Sequence, residues 1–269
     1  MTRSLAEGAV AVLCAVDPAT KVALSREVAA RWREGGVAVG RAAPPTRPAR
    51  PARPLLLPPR DMPKRRNFGS PAGRVALLHA LAHIELNAID LAWDLVARFA
   101  DAGLPRAFFD DWVEVAAEEA EHFGLLSDRL VALGSGYGAL PAHDGLWEAA
   151  AATAHDLLAR LAVVPLVLEA RGLDVTPEMR LRLERAGDGE SATILDRIYR
   201  DEIRHVAAGS RWFAWLCGER GEDPAAVFHD RVRRYFTGAL KPPFNRTARE
   251  EAGFPAAYYE PLACAAAPS

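Results

Sequence analysis

The stretch Trp112-Val-Glu-Val-Ala-Ala-Glu-Glu-Ala-Glu-His-Phe123 sets a glutamate and a histidine, Glu119 and His122, three residues apart inside an apolar pattern. Residues so spaced share one face of a helix. That face continues through Val115, Ala116, Leu126 and Leu130, so the pair points where the helix buries its apolar side. A core-facing glutamate is rare unless it is paired or bound to a cation, because taking a carboxylate out of water is costly. The same four-residue word returns as Glu202-Ile-Arg-His205, on a face shared with Ile198, Val206, Gly209 and Phe213.

Two further glutamates fall on apolar faces. Glu85 lies on the stripe of Leu78, Leu81, Ala82, Ile89 and Ala92, and Glu169 closes the run Leu161-Ala-Val-Val-Pro-Leu-Val-Leu-Glu169. The chain order is Glu, Glu-x-x-His, Glu, Glu-x-x-His, with one group per helical segment. This is the ligand pattern by which ferritin-like four-helix bundles hold two iron or manganese ions. Four carboxylates offset two divalent cations, leaving a near-neutral cluster with neutral imidazoles. The reading is therefore an all-α fold with metal ligands Glu85, Glu119, His122, Glu169, Glu202 and His205. The alternative is a bundle whose glutamates are neutralised by arginines, with Arg171 and Arg204 nearby.

At 269 residues the chain can bury a large core, and its net charge of −2 gives no global attraction to nucleic acid or membrane. Three scattered cysteines, Cys14, Cys217 and Cys264, argue against a disulfide framework and for a reducing compartment, so the cytoplasm is expected. The apolar run Gly8 to Val16 reads as a packed N-terminal helix rather than a signal peptide. Charges break the apolar stretches of the bundle, so no membrane span is expected.

Four regions follow: an N-terminal helical extension over 1–40, a Pro/Arg-rich extended segment over 41–69, the bundle over 70–218, and a C-terminal helix and tail over 219–269. In the first, Asp17-Pro18 opens a helix and Gly35-Gly36 ends it. The second carries Arg41, Arg47, Arg50, Arg53, Arg60, Lys64, Arg65 and Arg66 among frequent prolines, which exclude helix and sheet. It is expected to lie as a strap across the bundle, and its charge also suits RNA phosphates or an acidic partner. Long helices are expected over 71–100, 105–133, 145–171 and 189–217. The third is expected to kink at Pro165 and stop at Gly172, before a short helix opened by Thr176-Pro177-Glu178; a further helix is expected near 224–238.

Around the ligands, His79, His83, Asn87, Asp90 and Asp94 form a polar stripe facing away from Glu85, suited to packing against a polar segment or solvent. His83, Tyr199 and Asp201 are candidates to hydrogen-bond the ligands from behind. His155 lies about 21 Å along its helix from Glu169 at 1.5 Å per residue and cannot join them. His143 and His229 read as loop or surface residues.

The string His79-Ala-Leu-Ala-His83-Ile-Glu85-Leu-Asn-Ala-Ile-Asp90, together with Leu168-Glu169-Ala-Arg171-Gly-Leu-Asp174 and Asp201-Glu202-Ile-Arg-His205-Val, resembles an uncharacterised bacterial family of the ferritin-like superfamily. The superfamily resemblance covers roughly residues 70–218, and the looser family resemblance reaches Pro242-Pro-Phe-Asn245. It implies a dinuclear iron site with Glu119 and Glu202 bridging, His122 and His205 each on one metal, and Glu85 and Glu169 terminal. A more distant similarity is to the di-iron tRNA hydroxylases of that superfamily.

The leading functional expectation is an O₂-activating oxidoreductase with two iron ions, or manganese or a mixed pair, acting on a small molecule or RNA and supplied with electrons by a reductase. A homodimer is a further expectation. Two other readings are iron oxidation and storage, or peroxide detoxification, and a metal-free helical scaffold that binds RNA or protein.

Overall fold

The computed structural model describes residues 4–63 and 69–263, and no β-strand occurs among them. The helices are α1 (Leu5–Leu13), α2 (Pro18–Glu34), α3 (Pro71–Arg98), α4 (Arg106–Ala132), α5 (Gly145–Ala152), α6 (Leu157–Val163), α7 (Ala170–Arg185), α8 (Gly189–Glu219), α9 (Pro224–Tyr235), α10 (Arg246–Glu251) and α11 (Ala256–Tyr259). A π-helical turn, Val164–Glu169, joins α6 to α7. Short polar side chains start several of these helices. Asp17 accepts the Thr20 N–H at 2.8 Å, Ser70 that of Gly73 at 3.1 Å and Asp223 that of Ala226 at 2.9 Å, each with proline as the first helical residue.

Of the described residues, those up to Trp147 and Arg182–Ile194 form one compact unit, and Glu148–Leu181 and those from Leu195 onward form another. In the first, the short link 99–105 folds α3 back onto α4, α1 packs on α3, and α2 packs on α4. Leu78, Leu86 and Trp93 of α3 and Phe108, Trp112 and Leu126 of α4 are buried in its core. By length and composition α3 could cross a membrane, but 72% of its apolar window is buried within the protein.

The polar stripe of α3 is buried under polar segments. Lys21, fully buried, places Nζ 2.5 Å from Asp90 Oδ1 and donates to the carbonyl of Val12 at 3.1 Å, so one ammonium closes the end of α1 and anchors α3. Arg50 reaches Asn87 at 2.6 Å and Asp90 at 3.2 Å. His83 Nε2 lies 3.1 Å from the His143 carbonyl, which can only accept; Nδ1 therefore accepts from the Tyr137 hydroxyl at 2.8 Å. His79 Nε2 accepts the Gly138 N–H at 2.9 Å, and that backbone turns at φ +95°, a conformation that favours glycine.

Residues 41–58 contain neither helix nor strand and lie against this face as a strap. Leu57 donates to the Ala142 carbonyl at 2.8 Å and Ala142 to that of Leu55 at 3.0 Å. Arg47 pairs with Asp144 and Arg41 with Asp101. Lys64, Arg65 and Arg66 lie outside the described residues, as does Cys264, while Cys14 and Cys217 are free thiols.

In the second unit the expected single helix over 145–171 is broken at one place and longer at another. It breaks at 153–155, where the Thr153 hydroxyl donates back to the Ala149 carbonyl and Asp156 caps α6 by accepting the Ala159 N–H. The fully buried Arg160 fills the gap by donating to the Ala150 carbonyl at 2.6 Å and Thr153 Oγ1 at 3.0 Å. Nor does Gly172 stop the helix: α7 runs through it and through Pro177. Proline lacks the N–H that the carbonyl four residues earlier needs. Here that carbonyl, of Leu173, accepts instead from Asn245 Nδ2 at 3.1 Å.

Elsewhere in this unit α6 and α11 pack on α9, and Phe213, Phe228, Phe254 and Tyr258 meet largely edge to face. Close approach of α8 to the π-helical turn requires Gly209. A Cβ there would lie 2.6 Å from Pro165 Cβ.

Candidate metal centre

The link between α3 and α4 lets Glu85 of α3 meet Glu119 and His122 of α4. All three are buried, with Glu119 and His122 at 0% exposure. His122 Nδ1 lies 3.3 Å from Glu85 Oε2 and 3.4 Å from Glu119 Oε2, and one ligand atom from each residue falls within 4.8 Å of the others. Ligands held about 2.1 Å from a first-row cation stand roughly 3.0–3.4 Å apart when adjacent in its shell, so the N···O separations suit a shared ion.

Electrostatics agree with that fit. Burial, reinforced by the neighbouring Glu119 carboxylate, pushes the Glu85 pKa up to about 8. Both causes favour a proton on Glu85, a positive charge that a cation could equally supply. The donor set of carboxylate oxygens and imidazole nitrogen, without a thiolate, suits a divalent first-row cation.

In the second unit α8 carries Glu202 and the buried His205, with Nδ1 of the histidine 3.9 Å from Glu202 Oε2. Glu169 is the last residue of the π-helical turn and is half-buried. It does not form a trio with Glu202 and His205 as tight as that of Glu85, Glu119 and His122. Its helix nevertheless faces α8, since a Cβ on Gly172, three residues on, would lie 4.0 Å from the Glu202 carboxyl carbon. Because the helix continues past Gly172, Glu169 sits within a helical run rather than at its end. Pi-helical turns of this kind occur frequently at functional sites.

The model of a family described as a protein of unknown function, DUF455, matches residues 14–260. The chain belongs to the DUF455 family. A Haemophilus influenzae protein (strain Rd), named only as an uncharacterized protein, is 46% identical over 207 residues, 75% of this chain and 72% of that one. No solved structure matches the chain.

Around the candidate ligands of this DUF455 chain, Asp201 is buried and lies between two arginines of its own helix, Arg197 and Arg204, at 2.6 Å each. Arg171 lies 3.3 Å from Asp174 and donates to the Lys241 carbonyl. The half-buried Tyr199 accepts from Asn245 Nδ2 at 3.0 Å. His83 is engaged with Tyr137 and the His143 carbonyl, on the strap side of α3. His155 meets the Tyr235 hydroxyl, His229 the Ala257 carbonyl, and His143 the Gly145 N–H.

Sequence reasoning missed Lys21, Tyr137, Asp174 and Arg249 as determinants of this DUF455 structure. For Asn245, which binds beside Asp174 and Arg249, one signal existed. Pro177 in a helical run leaves the Leu173 carbonyl in need of a donor from elsewhere in the chain.

Proposed function

We propose that Glu85, Glu119, His122, Glu169, Glu202 and His205 together bind two divalent cations, iron foremost, in a ferritin-like four-helix bundle, and that the centre oxidises or hydroxylates an organic substrate with O₂. The observation that carries this reading is the buried trio of Glu85, Glu119 and His122. Two carboxylates and an imidazole share one small volume, at separations that suit a cation and at an electrostatic cost that a cation removes.

The repeat of the motif in the other unit supports a second cation on Glu169, Glu202 and His205. Bound iron would supply redox chemistry, reducing O₂ with electrons that a reductase partner must replace. The protein's part is different. His122 and His205 would offer Nδ1 and the glutamates their carboxylate oxygens, while buried apolar side chains such as Trp112, Val115 and Leu126 keep the surroundings dry. Substrates considered are a small molecule or RNA. For RNA, Arg41 and Arg47 of the strap are already paired with carboxylates of their own unit.

Anaerobic Fe(II) loading followed by exposure to O₂ tests the proposal. Uptake of two ions per chain, with new near-ultraviolet and visible absorption on oxidation, supports it. A chain that gains neither iron nor manganese refutes it.

A further inference from the structure

The C-terminal segment after α9 returns to α7 at one place. Asp174, whose side chain is 1% exposed, accepts the Asn245 backbone N–H at 2.9 Å and two bonds from Arg249, Nε at 2.9 Å and Nη2 at 2.7 Å. Such a forked pair is short, directional and strong. Arg249 is itself buried, with its guanidinium 4.5 Å from the centre of the Tyr259 ring and 4.9 Å from that of Phe244. Its Nη2 also reaches the Ala170 carbonyl at 3.2 Å, on the residue after Glu169. Asn245 completes the grip by giving Leu173 the hydrogen bond that Pro177 withholds, and by donating to Tyr199 of α8.

These contacts converge on the backbone just after Glu169. Just before it, Pro165 is pressed against Gly209 of α8. The backbone of Glu169 is thus fixed on both sides, in a π-helical turn that contains a proline and would otherwise be poorly held. A glutamate side chain has three rotatable bonds, so where its backbone is held decides which atoms its carboxylate can reach.

We propose that Asp174, Asn245 and Arg249 are positioning residues that hold the Glu169 carboxylate where it can serve a cation, making the C-terminal segment part of the metal site. This rests on the proposed metal reading and adds an asymmetry to it. Cutting the latch should weaken the cation that depends on Glu169, Glu202 and His205 and spare the one on Glu85, Glu119 and His122.

Anaerobic Fe(II) titration of the full chain, repeated with Mn(II), tests this in wild type, Asn245→Ala, Arg249→Lys, Pro177→Ala and the Asn245→Ala/Pro177→Ala double variant, with helicity and thermal midpoint followed in parallel. Wild type should bind two ions. Asn245→Ala and Arg249→Lys should keep one at wild-type affinity and lose at least tenfold on the other, with helicity retained. Pro177→Ala restores the missing N–H, so the double variant should recover much of the loss. A purely structural latch would instead weaken both ions in step with helicity and give no rescue, and that outcome overturns the proposal. So does an Asn245→Ala variant that binds both ions as wild type does, even though the metal reading then stands. A wild type that binds no ion removes both.

Discussion

Gly209 of α8 and Pro165 of the π-helical turn stand so close that a methyl group on the glycine would lie 2.6 Å from the proline Cβ and 2.8 Å from its Cγ. Neither partner is the free end of a flexible side chain, because the proline ring is tied to its own backbone. Gly209→Ala should therefore destabilise the protein by about 1–3 kcal/mol, as overpacking of a tight contact does. Denaturant titration reads this as a lower midpoint at an unchanged slope. Gly172→Ala, whose methyl would meet the Glu202 carboxyl carbon only at 4.0 Å, should cost much less.

Metal affinity should depend on pH through Glu85. Burial and Glu119 disfavour its charge and push its pKa up from the ordinary 4.5 to about 8. A cation must displace that proton, so apparent affinity should rise about tenfold per pH unit between pH 6 and 8 and level off above. Without metal the sign for folding is opposite: the fold binds this proton more tightly than the unfolded chain, so stability should fall as pH rises from 4.5 to about 8. Glu85→Gln should flatten both slopes.

His83 gives a separate acid dependence. Burial, with the nearby Arg50 charge, lowers its pKa from 6.5 to about 4. Between those values the unfolded chain binds more protons, so stability is lost as pH falls through that window, at up to about 1.4 kcal/mol per unit. Thermal melts between pH 7 and 4 should show a shallower dependence in His83→Gln than in wild type.

Lys21 holds Asp90 in a fully buried pair and closes the end of α1. Lys21→Ala should cost about 3 kcal/mol, because truncating one partner leaves a buried carboxylate short of charge. Because Lys21→Ala/Asp90→Asn removes that carboxylate as well, the double variant should be less unstable than the two single effects added together, while Arg50, 3.2 Å from Asp90, should soften the Lys21→Ala single variant.

Much of the helical organisation was legible in the sequence because it rests on local chemistry. Asp17-Pro18, Ser70-Pro71 and Asp223-Pro224 each open a helix by capping, and the Glu-x-x-His words declare their shared faces at once. The trio of Glu85, Glu119 and His122 was legible for the same reason, since its members lie on apolar stripes of two helices joined by a short link. What escaped were features decided by distant partners. Breaking the third helix depends on Arg160 reaching Thr153 and Ala150, and α7 passes through Pro177 because Asn245 supplies a donor from far along the chain. No local pattern announces such a donor. The polar stripe on α3 was readable as a stripe, but its burial by Lys21, Arg50 and Tyr137 was not.

Metal stoichiometry measured on matched variants decides whether these six residues hold ions. Native protein, and protein loaded anaerobically with Fe(II), should carry up to two ions per chain by elemental analysis. Glu119→Ala and His205→Ala should each lower that content sharply, while His155→Ala and His229→Ala leave it unchanged. Metal content near zero in wild type after loading, or equal content in Glu119→Ala and wild type, would contradict the account.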